Sequence, residues 1–502
     1  MSQIHGINSP LTAFGALIRN PRVIITMKLR LAQVSDILNV APSSPDAVVT
    51  GCSIDSRTVQ PGELFFAIRG PRFDGHDFVG AALEAGAVVA VVERGEGLRV
   101  ANTIQALQKL AASVRRLWGR RLVAVTGSVG KTTTKEMIAA VLATRFRIHR
   151  SEGNLNNQYG LPLSLLKLEE SHEAGVFELG MSHAGEIAAL ARIAQPDTGV
   201  VTAVAPVHLE YFPSGIEGIA RAKRELIDSL PAGGIAILNA DDQFVSRFGE
   251  SFEGFQLSFG IDRQADFRAC DICEDGDGSQ RFRLQWEGEP VEVRLALVGR
   301  HNVLNALAAL ATAQTFGIHP SRAAAALAAF RPLKMRGEIL EWNGVRIVND
   351  CYNSNPRALE FLLDTLARAG KGRRRIAVLG EMLELGPASP DLHREAGRRA
   401  AAAADCLVAV RGDARYFLEG AAAAGMAAAH LAFFDTPAEA ADHLASLLQP
   451  GDVVLFKASR GVKLEDAVAK LMNCGLRNAD CGVPPKAAGC NPQSQIRDPK
   501  SI

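Results

Sequence analysis

The residues whose types and spacing most clearly suggest chemistry form the run TGSVGKTTTKE, Thr126–Glu136. It follows the apolar stretch Leu122–Val125 and opens a helical pattern, which is the strand, glycine loop and helix order of a nucleotide-binding P-loop. Glycines let backbone N–H groups surround a phosphate, and the helix N-terminus and a lysine add positive charge. The spacing is the shorter GxxGK[ST] form, since Val125 stands where the longer form has glycine. The residues predicted to form this loop are Thr126, Gly127, Ser128, Val129, Gly130, Lys131, Thr132 and Thr133, with the Thr132 hydroxyl facing Mg²⁺.

A carboxylate and an imidazole follow two further apolar runs. Glu178 ends the run in VFELG, and ligands of open α/β sheets lie at the carboxyl ends of parallel strands. Its hard oxygens suit Mg²⁺, and a capping or turn role is the alternative. His208, in APVHLEYF, follows the run TGVVTAV and is either a metal ligand or a structural hydrogen-bonding residue.

Two further basic residues are candidate functional residues. Lys223 lies in the helical segment ARAKRELI, where the flanking arginines favour a solvated basic face. Arg336, in KMRGE, is either a surface charge or a guanidinium directed at a phosphate. For each residue, the sequence alone leaves open both a functional role and a solvent-exposed surface charge.

Amide side chains cluster in segments that suit a polar, uncharged ligand. Asn156 and Asn157 lie in GNLNNQYGLP, for which a turn-rich loop is the alternative. Asn305 lies inside the helical segment GRHNVLNALAA, where asparagine is mildly unfavourable, and this favours a ligand contact. Asp350 follows the run VRIV in NDCYNSNP and can bind ribose hydroxyls, with an Asn-rich turn as the alternative.

The rest of the sequence predicts an α/β protein of several domains, because 502 residues exceed what one hydrophobic core holds. Short strands and turns occupy residues 27–115, and alternating strands and helices in 116–329 predict a mostly parallel sheet around the glycine loop. The alternation restarts in 330–476 as a second, smaller doubly wound unit. Residues 1–26, which lack a signal-peptide pattern, are expected to be a loose extension, with a translation start at Met27 as the alternative, and 477–502 a disordered tail.

Composition excludes several classes of protein. The formal net charge of +1 gives no basic excess, so neither nucleic acid nor an anionic membrane is an expected partner. No apolar run approaches the length that spans a bilayer. Among the eight cysteines, only Cys270 and Cys273 have CxxC spacing, for which chance and a redox role are the alternatives. Scattered cysteines beside a P-loop indicate reduced thiols in the cytoplasm, and the lack of a heptad motif favours a monomer.

Taken in order, these segments resemble the Mur ligase family, over about Met27 to Leu476. The P-loop and GRHNVLNALAA are similar to segments shared across the family. GNLNNQYGLPLSLL, FELGMSHAGEI and NDCYNSNP resemble the member that adds a D-alanyl-D-alanine dipeptide. DSRTVQPGELFFAIRG with DGHDF is similar to a UDP-binding domain of the family.

The resemblance implies three domains: a small α/β UDP-binding domain, a central P-loop ATPase domain with a mostly parallel sheet, and a C-terminal Rossmann-like domain. It implies that ATP phosphorylates the terminal carboxylate of UDP-MurNAc-tripeptide. The amine of D-Ala-D-Ala then attacks the acyl phosphate, giving UDP-MurNAc-pentapeptide, ADP and phosphate. Mg²⁺ is the implied cofactor.

The resemblance also implies roles for individual residues. The implied catalytic residues are Lys131, His208, Lys223 (as a carbamate) and Arg336, and the implied metal ligands are Thr132, Glu178 and His208. Asn305 would contact adenine and Asp350 the ribose, in addition to the glycine loop. The implied substrate-binding residues are Ser56, Arg57, Asn156, Asn157, Asn353 and Asn355. Cys351 departs from the family pattern, in which serine is usual.

Other functions remain as alternatives. A ligase adding the third residue, or a folylpolyglutamate synthase, shares the mechanism. The third-residue ligase, however, would need a charged amino-acid pocket in the C-terminal domain, where this chain has the neutral NDCYNSNP. A GTPase-like switch would need an NKxD loop, which the sequence lacks. An inactive scaffold is disfavoured because Lys131, Thr132, Glu178 and His208 are all present.

Overall fold

The computed structural model describes residues 29–41, 45–275, 278–369 and 372–480. The predicted extension 1–26 and all of the predicted tail beyond residue 480 lie outside the described residues. The described residues form two compact units. One holds residues 29–106 and 166–171, and the other holds 107–165 and 172–480.

The first unit is built on short strands. Its elements are β1 (Leu29–Arg30), α1 (Leu31–Leu38), β2 (Val48–Val49), β3 (Gly51–Ser53), β4 (Glu63–Phe66), α2 (Val79–Glu84), β5 (Val89–Val92) and β6 (Leu98–Arg99). Strands β3 to β6 form a parallel sheet in chain order, and β1 pairs with β2 antiparallel. Phe65, Ala82 and Val92 belong to its apolar core.

A nine-stranded sheet organises the first half of the second unit. The elements are α3 (Thr103–Trp118), β7 (Arg121–Thr126), α4 (Lys131–Leu142), β8 (Ile148–Arg150), α5 (Gly160–Leu165), β9 (Ala174–Glu178), α6 (Glu186–Ala194), β10 (Thr198–Val201), α7 (Gly215–Asp228), β11 (Ile235–Asn239), β12 (Phe255–Gly260), β13 (Phe267–Glu274), β14 (Gln280–Gln285), β15 (Val291–Leu295), α8 (Arg300–Thr315) and α9 (Pro320–Ala329). The order is β15-β14-β13-β12-β11-β10-β7-β9-β8. Strands β7 to β13 pair in parallel, and β13, β14 and β15 pair antiparallel.

The central strands are continuous apolar runs because the sheet is covered on both faces. All five residues of β9 and all four of β10 are buried. Val123 and Val125 of β7 pack in one core with Ile138 of α4 and Leu307 of α8. The antiparallel strands have a different burial pattern. Strand β14 alternates buried and more exposed residues, as expected for a sheet with one solvated face.

A six-stranded sheet organises the second half of this unit. The elements are β16 (Glu338–Trp342), β17 (Val345–Asp350), α10 (Pro356–Ala369), β18 (Arg375–Gly380), α11 (Ser389–Ala403), β19 (Cys406–Val410), α12 (Arg415–Ala423), β20 (Leu431–Phe434), α13 (Pro437–Leu447), β21 (Val453–Lys457) and α14 (Glu465–Asp480). The order is β16-β17-β21-β18-β19-β20, parallel except for β16. One face packs on α10 to α12 and the other on α13 and α14, so the predicted doubly wound unit is confirmed.

This architecture confirms the predicted α/β class with mostly parallel strands. In both sheets of the second unit, loops that carry polar side chains leave the carboxyl ends of parallel strands, where ligands of such sheets bind. Within the described residues, every helix falls short of the length and apolarity that a bilayer crossing requires.

Candidate active site

The glycine loop joins the end of β7 to the start of α4, as predicted. Gly127 has φ +147°, and a Cβ built there would lie 1.9 Å from Oγ1 of Thr202. Gly130 has φ +82°, and its Cβ would lie 2.4 Å from Oδ1 of Asn305. Only glycine fits both positions, because a side chain would meet both strain and a clash. Lys131 donates from Nζ to the Gly127 carbonyl at 2.8 Å, so its ammonium lies over the loop.

Glu178 is the last residue of β9 and is only 3% exposed. Its Oε2 accepts a 2.6 Å hydrogen bond from the Thr132 hydroxyl, and its Oε1 accepts one of 2.7 Å from Nδ2 of Asn156. Its backbone N–H donates to Oγ of Ser151 at 3.1 Å. Two of the three residues predicted to hold metal, Thr132 and Glu178, are therefore adjacent, and both offer hard oxygen.

These oxygens fit Mg²⁺ rather than a transition metal. Among the residues that the structure describes, no three His, Cys, Asp or Glu side chains converge as a metal cage. Mg²⁺ commonly takes one or two protein oxygens and completes its shell with substrate phosphates and water. Thr132 and Glu178, at the mouth of a phosphate loop, match that pattern.

Two lysines lie close to this carboxylate. Burial, opposed by the charge of Glu178 and reinforced by that of Arg336, lowers the pKa of Lys131. Burial, reinforced by the charge of Lys131, lowers the pKa of Lys223 well below its usual range. Lys223 is 2% exposed, so the solvated basic face that its arginine neighbours favoured is wrong. Its amine is thereby shifted toward the neutral form.

His208 meets a residue from the six-stranded half of the unit. Its Nδ1 lies against Oε2 of Glu384, and this contact lowers the pKa of Glu384 despite partial burial. Both residues have left-handed backbone, with φ +55° and +64°. Such a conformation is unfavourable for residues other than glycine, so the contact joins two strained positions.

The start of α8 is tied to the glycine loop. Asn305 is buried, accepts from the Thr134 hydroxyl at 3.1 Å and donates to Oδ1 of Asn302 at 3.0 Å. Asn302 lies inside α8 and donates to the Val298 carbonyl at 2.8 Å. The neighbouring His301 stacks on Phe361, with ring centroids 5.6 Å apart. Burial lowers its pKa to about 4.

The end of β17 carries an ion pair between a partly buried carboxylate and a buried ammonium. Asp350 accepts at 2.5 Å from Nζ of Lys457, the last residue of β21. The same Nζ donates to the Asn353 carbonyl at 2.9 Å. Lys457 is 1% exposed, so its charge is held almost wholly inside the protein. Arg336 lies over the ring of Tyr352, 3.8 Å from the ring centroid.

One cavity of about 840 Å³ contains most of the predicted residues. The predicted residues that line it are Ser128, Val129, Gly130, Lys131, Thr132, Thr133, Asn156, Asn157, Glu178, His208, Asn305, Arg336, Asp350, Asn353 and Asn355. Thr126, Gly127 and Lys223 are not among its lining residues. The Thr126 hydroxyl is instead buried on the Leu179 carbonyl.

Two predicted substrate-binding residues belong to the first unit. Ser56 and Arg57 lie in the segment between β3 and β4, and Arg57 pairs with Asp55 at 2.6 Å. Two of the predicted asparagines also have local roles: Oδ1 of Asn157 accepts from Gly160 N, and Oδ1 of Asn355 accepts from Ala358 N. Both helix starts, α5 and α10, are therefore capped by residues of the cavity.

The cavity residues that were not predicted from the sequence include His301, Tyr352, Glu384 and Lys457. The sequence does contain a feature that could have predicted Lys457. This lysine ends the buried run VVLFK, as Glu178 ends the apolar run of its own strand. Tyr352 lies within the segment NDCYNSNP, whose amide side chains are the feature that indicates a ligand contact. Glu384 had no such signal, since it lies in a loop far along the chain from His208.

Comparison with known proteins agrees with this geometry. Three family models match: "Mur ligase family, catalytic domain" over residues 48–145, "Mur ligase middle domain" over 125–313, and "Mur ligase, glutamate ligase domain" over 333–460. The UDP-N-acetylmuramoyl-tripeptide–D-alanyl-D-alanine ligase of Bacillus subtilis is 35% identical, covering 87% of this chain and 96% of its own length. The enzyme of that name from Escherichia coli is 34% identical, covering 89% and 99%.

Solved structures of Mur ligases are also similar to this chain. A crystal structure of MurF from Acinetobacter baumannii has a TM-score of 0.81 at 33% identity and covers 89% of this chain and 99% of that one. MurF ligase from Thermotoga maritima, solved in complex with ADP, has a TM-score of 0.77 at 31% identity and covers 85% and 98%. With three family models along its length and relatives this similar over nearly their whole length, the chain belongs to the Mur ligase family.

Proposed function

We propose that this ATP-dependent, ADP-forming ligase adds D-Ala-D-Ala to UDP-MurNAc-tripeptide, forming UDP-MurNAc-pentapeptide in peptidoglycan synthesis. The names of the relatives support the substrates. The observation that carries the chemistry is the 2.6 Å contact between Thr132 and the buried Glu178, beside Lys131 on the glycine loop. That grouping is suited to holding nucleotide phosphates and a divalent ion.

The reaction proceeds in two steps. An oxygen of the tripeptide's terminal carboxylate attacks the γ-phosphorus of ATP, and ADP leaves, which gives an acyl phosphate. The amine nitrogen of D-Ala-D-Ala then attacks the acyl carbon, phosphate leaves with the former carboxylate oxygen, and the nitrogen loses a proton. The products are one amide, ADP and phosphate.

The residues of this chain neutralise charge during the first step. Lys131 lies over the loop, and Arg336 lies close enough to affect its pKa, so both guanidinium and ammonium can face the transferred phosphoryl group. Thr132 and Glu178 are the proposed Mg²⁺ ligands, and His208 is proposed near a second metal position. When bound, the metal supplies Lewis-acid stabilisation of phosphate oxygens.

Lys223 is proposed to act as a carbamate. Burial favours its neutral amine, which is the form that reacts with CO₂. The product is an anion with oxygen donors, whereas an ammonium at the same position would repel a metal ion. Proximity to Glu178 and Lys131 supports this assignment.

The remaining predicted residues are proposed to bind ATP and substrate. The glycine loop holds phosphates, Asn305 contacts adenine, and Asp350 contacts ribose. The proposed substrate-binding residues are Ser56, Arg57, Asn156, Asn157, Asn353 and Asn355. In the corresponding domain division, residues 27–115 bind the UDP end, 116–329 bind ATP and 330–476 form the Rossmann-like ligase domain. We further propose a cytoplasmic location, since ATP is the co-substrate. We also propose that the protein is a monomer and has neither nucleic-acid nor membrane partners.

The test is phosphate release by the full chain with ATP, Mg²⁺ and UDP-MurNAc-tripeptide, with and without D-Ala-D-Ala. Release that requires both the tripeptide and D-Ala-D-Ala supports the proposal. Release that instead requires UDP-MurNAc-dipeptide and a single amino acid would move the enzyme one step earlier. Lys131→Ala is the control, and it is expected to abolish turnover while leaving the folded state intact.

A further inference from the structure

Two cysteines outside the cavity are brought together by an irregularity in β13. Cys270 and Cys273 are three residues apart, and on a regular strand such residues point to opposite faces of the sheet. The pairing with β14 is shifted between them. The CxxC spacing alone therefore predicts that the two side chains lie on opposite faces of the sheet. The pairing of β13 with β14 determines which faces they occupy.

The register places both cysteines on one face. Cys270 lies opposite Arg283, and Cys273 lies opposite Arg281, two residues along β14. Residues directly opposite in an antiparallel pair share a face, and residues two apart on one strand do as well. Two residues of β13 therefore oppose one residue of β14, which is a β-bulge.

The two residues inside the bulge account for this shift. Asp271 has φ +54°, the left-handed conformation found at the first position of one bulge type. Ile272 is partly buried and packs against the core on the opposite side of the sheet. With Ile272 turned inward, Cys270 and Cys273 both point outward.

The surroundings of the pair leave the thiols accessible. Cys273 is exposed and Cys270 is half-buried, and both are free thiols. Arg281 and Arg283 lie on the same face, and each also pairs with an aspartate, Asp275 and Asp271 respectively.

We propose that Cys270 and Cys273 form a dithiol site that exchanges with low-molecular-weight disulfides to give an intrachain disulfide. The Cys273 thiolate attacks one sulfur of the reagent, whose S–S bond breaks and releases one thiol. Cys270 then attacks the Cys273 sulfur and releases the second thiol. Two protein thiols are oxidised, one disulfide reagent is reduced, and the two protons pass to the released thiols.

The geometry is compatible with closure. The positions opposite the cysteines, Arg281 and Arg283, are two positions apart on β14, so the Cα atoms of Cys270 and Cys273 lie roughly 6–7 Å apart. Disulfides span Cα separations up to about 6.8 Å, so a small local adjustment of the bulge suffices. Neither cysteine lines the catalytic cavity, and the inference does not depend on the ligase reaction.

Other thiols are less suited to this exchange. Burial raises the pKa of Cys52, Cys351 and Cys406, which disfavours their thiolates. Cys474, Cys481 and Cys490 are best removed from the assay by Cys→Ser substitution, so that one pair is tested. That triple variant of the full chain, checked for unchanged phosphate release, is the reference protein.

The experiment treats the reference protein with oxidised glutathione and maps disulfides by mass spectrometry of its peptides. The expected product is a Cys270–Cys273 disulfide without retained glutathione, reversed by dithiothreitol. Cys270→Ser should instead keep a glutathione adduct on Cys273, because the resolving thiol is gone. An adduct that persists on Cys273 while Cys270 is present, or no reaction at either thiol, would overturn the proposal.

A second reagent tests proximity without oxidation. Phenylarsine oxide binds tightly only when two thiols bridge its arsenic, so the reference protein should retain it and either single Cys→Ser variant should lose at least about tenfold in affinity, or 1.4 kcal/mol. Asp271→Gly is the matched control, since glycine suits the left-handed position and should preserve binding. Equal binding by the reference protein and the single variants would contradict the paired geometry.

Discussion

The side-chain amide of Asn156 donates a 2.7 Å hydrogen bond to Oε1 of Glu178, the carboxylate proposed to hold Mg²⁺. Gly180 permits this approach, since a Cβ there would lie 2.9 Å from the Asn156 amide. The other carboxylate oxygen accepts from Thr132. A residue assigned by resemblance to substrate thus also orients a proposed metal ligand, and its loop links substrate binding to the metal position.

Asn156→Ala should raise the Mg²⁺ concentration required for half-maximal phosphate release by about 10- to 100-fold, as losing an outer partner of a metal ligand usually does. Asn157→Ala is the control: its Oδ1 caps α5, so we expect about 1 kcal/mol of lost stability and an unchanged Mg²⁺ requirement. The measurement is a Mg²⁺ titration at saturating substrates. An unchanged Mg²⁺ curve with a raised KM for the UDP substrate would assign Asn156 to substrate alone.

Gly127→Ala should destabilise the glycine loop. The added Cβ would lie 1.9 Å from Oγ1 of Thr202 and would occupy a backbone conformation with φ +147°. We expect the free energy of unfolding to fall by about 1–3 kcal/mol, with a large loss of ATP affinity. Gly233→Ala is the matched control, because nothing lies within 4 Å of its Cβ and its φ is not in the left-handed range. The measurements are urea unfolding and ATP titration of both variants. Equal free energies of unfolding for Gly127→Ala and Gly233→Ala would show that the loop tolerates a side chain.

Lys457→Met should leave the Asp350 carboxylate without its cation. Removing the buried partner of such a partly buried pair costs up to about 3 kcal/mol, because the remaining charge is uncompensated. Lys470→Met removes a cation from an exposed pair with Asp442 and should cost less than about 1 kcal/mol. Urea unfolding of the two variants gives the comparison. Losses of equal size would mean that the Asp350–Lys457 pair is no more coupled than a surface pair.

The sequence predicted those parts of the fold and site that depend on short segments. Parallel strands covered on both faces are continuous apolar runs, so β7, β9, β10, β17 and β21 could be located. Residues that end such runs lie at the ligand edge of the sheet, and Glu178 and Asp350 were identified on that basis. The glycine loop shows both features, because it is a polar segment that directly follows a continuous apolar run.

Contacts between distant segments could not be predicted from a single sequence. The pair of Asp350 and Lys457 joins residues 107 positions apart, and His208 meets Glu384 only because two sheets meet at one cavity. The burial of Lys223 is unpredictable for a related reason: its neighbours in sequence are charged, but its own position on α7 faces the interior. The bulge at Asp271 likewise depends on the pairing of β13 with β14, which spacing does not reveal.

The last prediction concerns His301, whose pKa burial lowers to about 4 in the folded protein. The unfolded chain takes up this proton near pH 6.5, so it binds more protons than the folded state between about pH 6.5 and 4. The free energy of unfolding should therefore fall with decreasing pH across that window, by about 1–3 kcal/mol from this group. His301→Phe keeps a ring against Phe361 and removes the titration. Urea unfolding at about pH 7 and about pH 4.5 should give a smaller loss in the variant than in the unsubstituted protein. Parallel losses in the two proteins would show that His301 titrates alike in its folded and unfolded states.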